Sequence, residues 1–276
     1  RMRPVLVLAL AAALWPAAAA AQGVGLEGSG NQPIHVDAAE SLEWHSEQKL
    51  YVARGDARLR QGDTTLRSDL LTAYYRDLPN GGTEIWRATA DGNVVIETPT
   101  ERAQGDQGVY DLDKNVFVLT GRDLRLDTQD GVITARDSLE YWRGRQLAVA
   151  RGNAVAVQPA EGGGENRIEA DVLTAEMRPG PDGALEIDVI NALGGVTITT
   201  PTDVVRGQEG VYNVRTEIAT IMGRVRITRG ENQLNGDYAE VNLATGVSRL
   251  LAQPGPQRER VRGLLVPDNT ENRAEP

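Results

Sequence analysis

The sequence contains no cysteine, only two histidines and one phenylalanine, and these absences exclude several classes of protein. Without cysteine there is no disulfide framework, no thiolate metal site and no thiol nucleophile. The two histidines, His35 and His45, are too few for a three-histidine metal centre. The net charge of −10 argues against a nucleic-acid backbone as partner, because phosphates require a basic face. A hydrophobic content of 40% in 276 residues is sufficient for one large or two smaller folded domains.

The first 21 residues have the pattern of a secretory signal peptide. Arg1 and Arg3 precede an apolar run from Val5 to Leu14, and the small residues that end at Ala21 form a cleavage site. An uncleaved membrane anchor is the alternative, which is disfavoured by Pro16 and by a run of barely spanning length. Cleavage removes two arginines, changes the net charge from −10 to −12, and predicts an exported protein of a bacterial envelope compartment.

The remainder of the chain is expected to be a single domain over residues 32–267. A flexible leader over residues 22–31 precedes it, and a disordered tail over residues 268–276 follows it.

Two motifs recur along this domain. One is an acidic residue followed by a small or apolar residue and then alternation, with successive copies 29 to 37 residues apart. Its copies begin at Glu40, Asp69, Asp106, Asp137, Asp171, Gln208 (where the acid is replaced) and Asp237. The other is a glycine that leads into an apolar alternation, at Gly55, Gly92, Gly152, Gly195 and Gly223. A longer copy repeats at a constant offset of 102, from Thr98 to Thr200 and from Gly121 to Gly223. Such periods indicate an array in which each unit buries its apolar face against its neighbours.

The units are predicted to consist of β-strands. Apolar residues alternate with polar ones, as in Ala57/Leu59 and Val225/Ile227, and turn residues such as Pro79–Gly82 separate the alternating segments. These patterns predict an all-β fold with a long antiparallel sheet system. If each of the seven units adds one strand per sheet, the interior is roughly 34 Å long. Its aliphatic face is compatible with a filled core or with a groove for a ligand.

Motifs for chemistry are weak. Gly23–Gly28 spells a dinucleotide fingerprint but lacks the preceding strand and following helix, and Asp111–Asn115 lacks the glycine and glutamate of a calcium loop. The recurring acids could suggest carboxylate pairs for glycoside cleavage. Because they repeat in every unit, they are better explained as structural residues that bond local backbone N–H groups before strands. These motifs predict no catalytic residue, metal site or cofactor.

Several segments resemble the LptA/OstA family of periplasmic lipopolysaccharide-transport bridge proteins. They are the opening Gln32–Asp37, the alternating Gly55–Gly62, Val109–Leu112 with Phe117–Gly121, and the closing Arg260–Pro267. The resemblance covers residues from about 31 to 267.

This resemblance implies a repetitive antiparallel V-shaped β-jellyroll with an apolar interior groove and no catalytic activity. It also implies binding of the lipid A moiety of lipopolysaccharide. The expected partners are further copies in a head-to-tail homo-oligomer and same-fold components at the inner and outer membranes. The expected joints are the edge strands near residues 34–44 and 259–266. The lipid contacts carried over from the family fall on Ile34, Val36, Ile96, Tyr110 and Leu112.

The chain also departs from the family pattern. It is longer than a typical bridge protein, with an insert at 159–166 and an extra copy of the central unit, so the groove is longer or the role has changed. Three alternatives stay open. They are an inner-membrane-anchored partner of the same fold, a secreted carbohydrate-active enzyme on a repetitive β scaffold, and a purely structural envelope scaffold.

Overall fold

The structure is a computed structural model that describes residues 34–79, 81–129, 131–160, 163–180, 185–242, 247–251 and 261–264. The predicted signal peptide, the leader and the C-terminal tail lie outside these residues. The described residues form antiparallel β-strands throughout, apart from one 3₁₀ turn at Arg143–Arg145, so the all-β prediction is confirmed.

The strands are β1 (His35–Asp37), β2 (Ser41–His45), β3 (Leu50–Gln61), β4 (Thr64–Asp77), β5 (Thr83–Glu97), β6 (Arg102–Asp111), β7 (Val116–Thr120), β8 (Leu124–Asp127), β9 (Val132–Ala135), β10 (Ser138–Trp142), β11 (Leu147–Pro159), β12 (Glu165–Pro179), β13 (Leu185–Leu193), β14 (Thr197–Thr199), β15 (Val204–Arg206), β16 (Glu209–Asn213), β17 (Ile218–Arg229), β18 (Asn232–Asn242), β19 (Val247–Leu251) and β20 (Arg262–Leu264).

The long strands are interrupted by β-bulges, and each half of such a strand pairs with different neighbours. In β3 the register shifts between Arg54 and Ala57; the first half pairs with β2 and the second half with β1. Similar shifts occur in β5, β11 and β17. Because a bulge bends a strand, the long strands pass from one sheet into a second one.

The strand pairings therefore form two separate series, each of which defines one antiparallel sheet. The first sheet has the order β2-β3-β4-β5-β6-β7-β10-β11-β12-β13-β16-β17-β18-β19. The second sheet has the order β1-β3-β4-β5-β6-β8-β9-β11-β12-β14-β15-β17-β18-β20.

The sheets are longer than the sequence predicted. Each repeat unit contributes two strands to each sheet, an outgoing one and a returning one, rather than one. About 14 strands at ~4.8 Å give a length of roughly 62 Å, so the prediction of roughly 34 Å was wrong.

The two recurring motifs meet at the bends between the sheets. At each bend a glycine with a positive φ, in a bulge or in a short connection between strands, lies against the first residue of an acid motif, which is a carboxylate in five of the six pairs. The pairs are Gly55 with Glu40, Gly92 with Asp69, Gly121 with Asp106, Gly152 with Asp137, Gly194 with Asp171 and Gly223 with Gln208. In the fifth pair the glycine is Gly194 and not the neighbouring Gly195 of the sequence motif, on which a Cβ would meet nothing within 4 Å. Some of these carboxylates also accept hydrogen bonds, for example Asp106 from the backbone N–H of Arg122 at 3.1 Å. The donor lies in the connection after β7, not in the local turn that the sequence suggested.

We expect Gly121→Ala to destabilise the fold more than Gly81→Ala. Both glycines have positive φ, which costs an L-residue about 1–2 kcal/mol. A Cβ on Gly121 would also lie 2.4 Å from the backbone nitrogen of Asp106, whereas a Cβ on Gly81 meets nothing within 4 Å. Overpacking adds about 1–3 kcal/mol, so urea unfolding should show the larger loss for Gly121→Ala. Equal losses would contradict the packing of the acid motif on the bend.

Candidate functional site

The inner face of the second sheet carries one uninterrupted row of apolar residues, which we call the aliphatic row. Each member is the direct cross-strand partner of the next, from one edge of the sheet to the other. Its members are Val36, Leu59, Leu66, Ile96, Ala103, Leu126, Ile133, Ala156, Ile168, Ile198, Val205, Ile227, Leu234 and Gly263.

The inner face of the first sheet carries two rows. The row next to the bends begins at Leu42 and ends at Leu250, with Leu71, Leu119, Leu173 and Ile221 among its members. The row farther from the bends, which we call the aromatic row, collects Trp44, Tyr51, Tyr110, Phe117, Tyr141 and Tyr212. Six of the twelve aromatic residues of the chain thus lie in this row.

Next to the bends the interior is filled by side chains. Val94, Leu119 and Leu124 are fully buried, and a Cβ on Gly105 would lie within 3 Å of both Leu119 and Leu124. One core cluster contains inward residues from β3 to β8 and a second contains residues from β9 to β18, and Leu139 packs against both. Farther from the bends, residues such as Tyr110, Phe117 and Leu126 are only half-buried. A ligand in the interior would therefore contact the half-buried members of the aromatic and aliphatic rows, and not the members that are buried in the core, such as Ile96, Ile198 and Tyr141.

The five lipid contacts carried over from the family fall on both inner faces, not in one cluster. Val36 and Ile96 belong to the aliphatic row, and Ile34 precedes β1 in the same alternation. Tyr110 belongs to the aromatic row, and Leu112 follows two residues later, where its N–H donates to the carbonyl of Trp86 at 3.0 Å. Ile34 and Val36 are 46% and 41% exposed, whereas Ile96 is only 5% exposed and forms part of the core.

The joint expected near residues 34–44 includes most of β2, but the apolar residues Leu42 and Trp44 were not singled out as site residues. Trp44 is 68% exposed, stacks on Tyr51 at 6.1 Å between ring centroids, and donates from Nε1 to the Tyr75 hydroxyl at 2.9 Å. Leu42 beside it is exposed too. The alternation of Leu42 and Trp44 in the sequence places both on one face of β2, but it does not indicate how exposed they are.

Charged groups at this edge and in the interior have structural partners. Glu43 on β2 accepts hydrogen bonds from His45, Ser41 and Arg54, which lower its pKa to about 2. Asp203 is buried and receives Nε and Nη2 of Arg229, both at 2.6 Å; these hydrogen bonds raise the pKa of Arg229. Burial raises the pKa of Tyr212 in the aromatic row.

In the described part of the chain, no group of three or more His, Cys, Asp or Glu side chains is placed to hold a metal ion. Over the same residues, no helix is long and apolar enough to cross a membrane.

These features define a class of protein, a repetitive antiparallel β-jellyroll whose two sheets enclose an elongated apolar interior. The sequence model of the family described as LptA/(LptD N-terminal domain) LPS transport protein matches residues 35–141 and again residues 132–247. The chain therefore belongs to this family of lipopolysaccharide transport proteins, and the predicted family is confirmed. Its members are transport proteins without enzymatic activity, which removes the carbohydrate-active enzyme as an alternative.

Two individual proteins are similar to parts of the chain. An uncharacterized protein of Rhizobium meliloti (strain 1021), R00383, is 28% identical over 125 residues, which cover 42% of this chain and 67% of that protein. The crystal structure of LptH from Pseudomonas aeruginosa, the LptA homologous periplasmic component of the lipopolysaccharide transport device, has 15% identity and a TM-score of 0.22. That match covers 87% of this chain and 99% of LptH.

The two family matches correspond to two units of structure. The first begins at β1 and the second at β9, and equivalent residues have equivalent places in the rows. Val36, Leu42 and Trp44 correspond to Ile133, Leu139 and Tyr141 at an offset of 97. Ile96 and Tyr110 correspond to Ile198 and Tyr212 at an offset of 102. The offset changes between β11 and β12, at the insert 159–166, which therefore lengthens one strand connection. The constant offset of 102 in the sequence could have identified Ile198 and Tyr212 as further candidates.

Proposed function

We propose that the protein is a periplasmic lipopolysaccharide-binding transport protein that shields lipid A acyl chains and bridges the inner and outer membranes. The observation that carries this proposal is the aliphatic row, which continues through both family units from Val36 to Leu234. Each buried CH₂ gains about 0.8 kcal/mol, so a chain of a dozen carbons would gain about 9 kcal/mol from such a surface. Because the inner face has no break, an acyl chain could make similar apolar contacts at successive positions along the molecule.

The proposed location rests on the predicted signal peptide 1–21. We propose that cleavage after Ala21 releases a protein whose residues 32–267 form one domain, with a flexible leader and a disordered tail. Pro16 and the small-residue cleavage site favour this soluble form over the inner-membrane-anchored partner of the same fold.

The proposed bridging rests on the two ends of the sheets. β1 and β2 at one end, and β19 and β20 at the other, each pair on one side only among the described strands. Unpaired edges are normally covered or blocked, and they accept a further strand by β-augmentation. Copies of the chain in a head-to-tail oligomer, with same-fold components at the inner and outer membranes, would extend the apolar interior beyond the roughly 62 Å of one chain.

The direct test is to look for the lipid. The chain with its predicted signal peptide would be produced in a Gram-negative host. The protein would be released from the periplasm and analysed by native mass spectrometry without detergent. We expect adducts with the mass of the host lipopolysaccharide. If the protein is free of glycolipid and also fails to take up added lipopolysaccharide, the proposed function is wrong.

A further inference from the structure

The same surface is exposed in the first family unit and covered in the second. Trp44 on β2 is 68% exposed, whereas the equivalent Tyr141 on β10 is 6% exposed. Tyr141 is buried because β7, the last first-sheet strand of the preceding unit, pairs with β10. The chain thus contains one complete joint between units and one entry edge, formed by β1 and β2, that lacks its neighbour among the described strands.

The internal joint shows how such an edge is covered. Leu119 lies opposite Leu139 in the first sheet, and Leu126 lies opposite Ile133 in the second. The row of the first sheet that runs from Leu42 to Leu250 and the aliphatic row of the second sheet therefore both continue across the joint without a shift in register. At the open edge the equivalent positions are Leu42 and Val36.

The opposite end of the chain presents strands with matching direction. Neighbouring strands in both sheets are antiparallel, and each sheet has an even number of strands among the described residues. A second copy placed with its β1 beside β20, and its β2 beside β19, would therefore also pair antiparallel. The inward residues at the exit edge are Leu250 on β19 and Gly263 on β20, which end the two rows.

We propose that copies of this chain join in the register that continues the aliphatic row and the Leu42-to-Leu250 row of the first sheet. In this register Leu250 lies opposite Leu42 of the next copy, and Gly263 lies opposite Val36 of the next copy. This inference rests on the head-to-tail stacking of the proposed function and specifies its geometry. A slip of one residue would turn the inner faces outward, so only slips of two residues compete with this register.

The register also places opposite charges together at both edges. In the first sheet Arg249 would lie opposite Glu43, and in the second sheet Arg262 would lie opposite Asp37. Arg249 is exposed, and its intramolecular partner Glu240 lies 3.9 Å away, near the upper distance limit of an ion pair. Asp37 is exposed and lies opposite Arg58 of β3, but Arg58 forms its ion pair with Asp56 at 2.5 Å, so Asp37 is left with only a longer-range attraction to Arg58. Arg262 is also exposed, and it makes no ion pair with another described residue. A slip of two residues would instead place Arg262 opposite His35 or Ala39, and the pairing of opposite charges in that sheet would be lost.

A difference between the two units supports this use of charge. The outward row that ends at Arg262 also contains Arg206 and Arg226, which lie directly opposite each other. In the first unit the equivalent pair is Gln104 and Arg125, and Arg125 is held by Asp127 at 2.6 Å. The same outward row begins at the entry end with Asp37 and continues to Arg58 and Arg67, which share Asp56 as their ion-pair partner. Near the exit end, Arg206 and Arg226 make no ion pair with another described residue.

Cysteine cross-linking tests the register, because the chain has no cysteine of its own. A Leu42→Cys/Leu250→Cys variant, oxidised with copper phenanthroline, should form disulfide-linked dimers, trimers and longer ladders. The matched control, Trp44→Cys/Leu250→Cys, places the thiols on the same faces with a slip of two residues. We expect at least about fivefold less ladder from it, because disulfides require Cα separations of about 4.4–6.8 Å. Single-cysteine variants should stop at dimers.

Charge reversal provides the second arm of the test. Arg262→Glu should weaken self-association measured by analytical ultracentrifugation, and addition of Asp37→Arg in the same chain should restore it. Stronger ladders from the Trp44→Cys/Leu250→Cys variant, or no restoration by Asp37→Arg, would overturn the register while stacking itself remains. A wild-type chain that stays monomeric at all concentrations would instead overturn the stacking on which the register rests.

Discussion

Ile34→Asp and Leu112→Asp are each expected to reduce lipopolysaccharide capture at least about tenfold while the protein stays folded. A carboxylate placed among acyl chains is desolvated without a partner, which costs several kcal/mol, and each 1.4 kcal/mol corresponds to a factor of ten in binding. The fold should tolerate both changes. Ile34 is 46% exposed and lies just outside β1, and Leu112 is half-buried just after β6.

A matched control for Ile34→Asp is available on the same strand. His35 is exposed and points outward, opposite Arg60, so His35→Asp adds a carboxylate next to the same position on the other face. Capture would be measured by photo-crosslinking of the purified variants to lipopolysaccharide, and folding by circular dichroism. Wild-type capture by Ile34→Asp, or an equal loss in His35→Asp, would contradict the assignment of the inner face as the lipid surface.

Ile96→Asp is not a useful substitute, although Ile96 was among the predicted contacts. At 5% exposure it packs in the core cluster with Val94 and Leu124, so a carboxylate there should unfold the protein. Alternation in the sequence identifies which face of a strand a residue is on. It does not show how far the second sheet closes over that face, because that depends on packing between segments far apart in the chain.

Much of the strand pattern could be predicted from the sequence. The alternations Ala57/Leu59 and Val225/Ile227 do point into the core, and the two recurring motifs do mark structural positions. The number of strands per unit could not be predicted, because the bend that sends one strand through both sheets depends on contacts between motifs. Gly92, for example, bends β5 where Asp69 of β4 packs against it. Neither motif alone indicates that partnership.

The largest effect on stability is expected at an aromatic position that occurs once in each unit. Tyr141→Ala should lower the free energy of unfolding by about 3–5 kcal/mol, because it empties a 6%-exposed site between β7 and β11. Trp44→Ala, at the equivalent position, should cost only about 1 kcal/mol in dilute monomer. That cost comes from the stacking on Tyr51 and the hydrogen bond to Tyr75.

Urea unfolding at low protein concentration would measure both losses, and the comparison depends on what covers each residue. The two side chains have equivalent places in their units, similar size and the same face of the first sheet. If their costs differ as expected, the difference comes from the neighbouring strand pair and not from the residue itself. The free energy of unfolding of the wild type would then rise with protein concentration, because a second copy supplies the neighbouring strands that the edge with Trp44 lacks. Equal costs in dilute monomer would show that the β2 edge is already complete in the single chain.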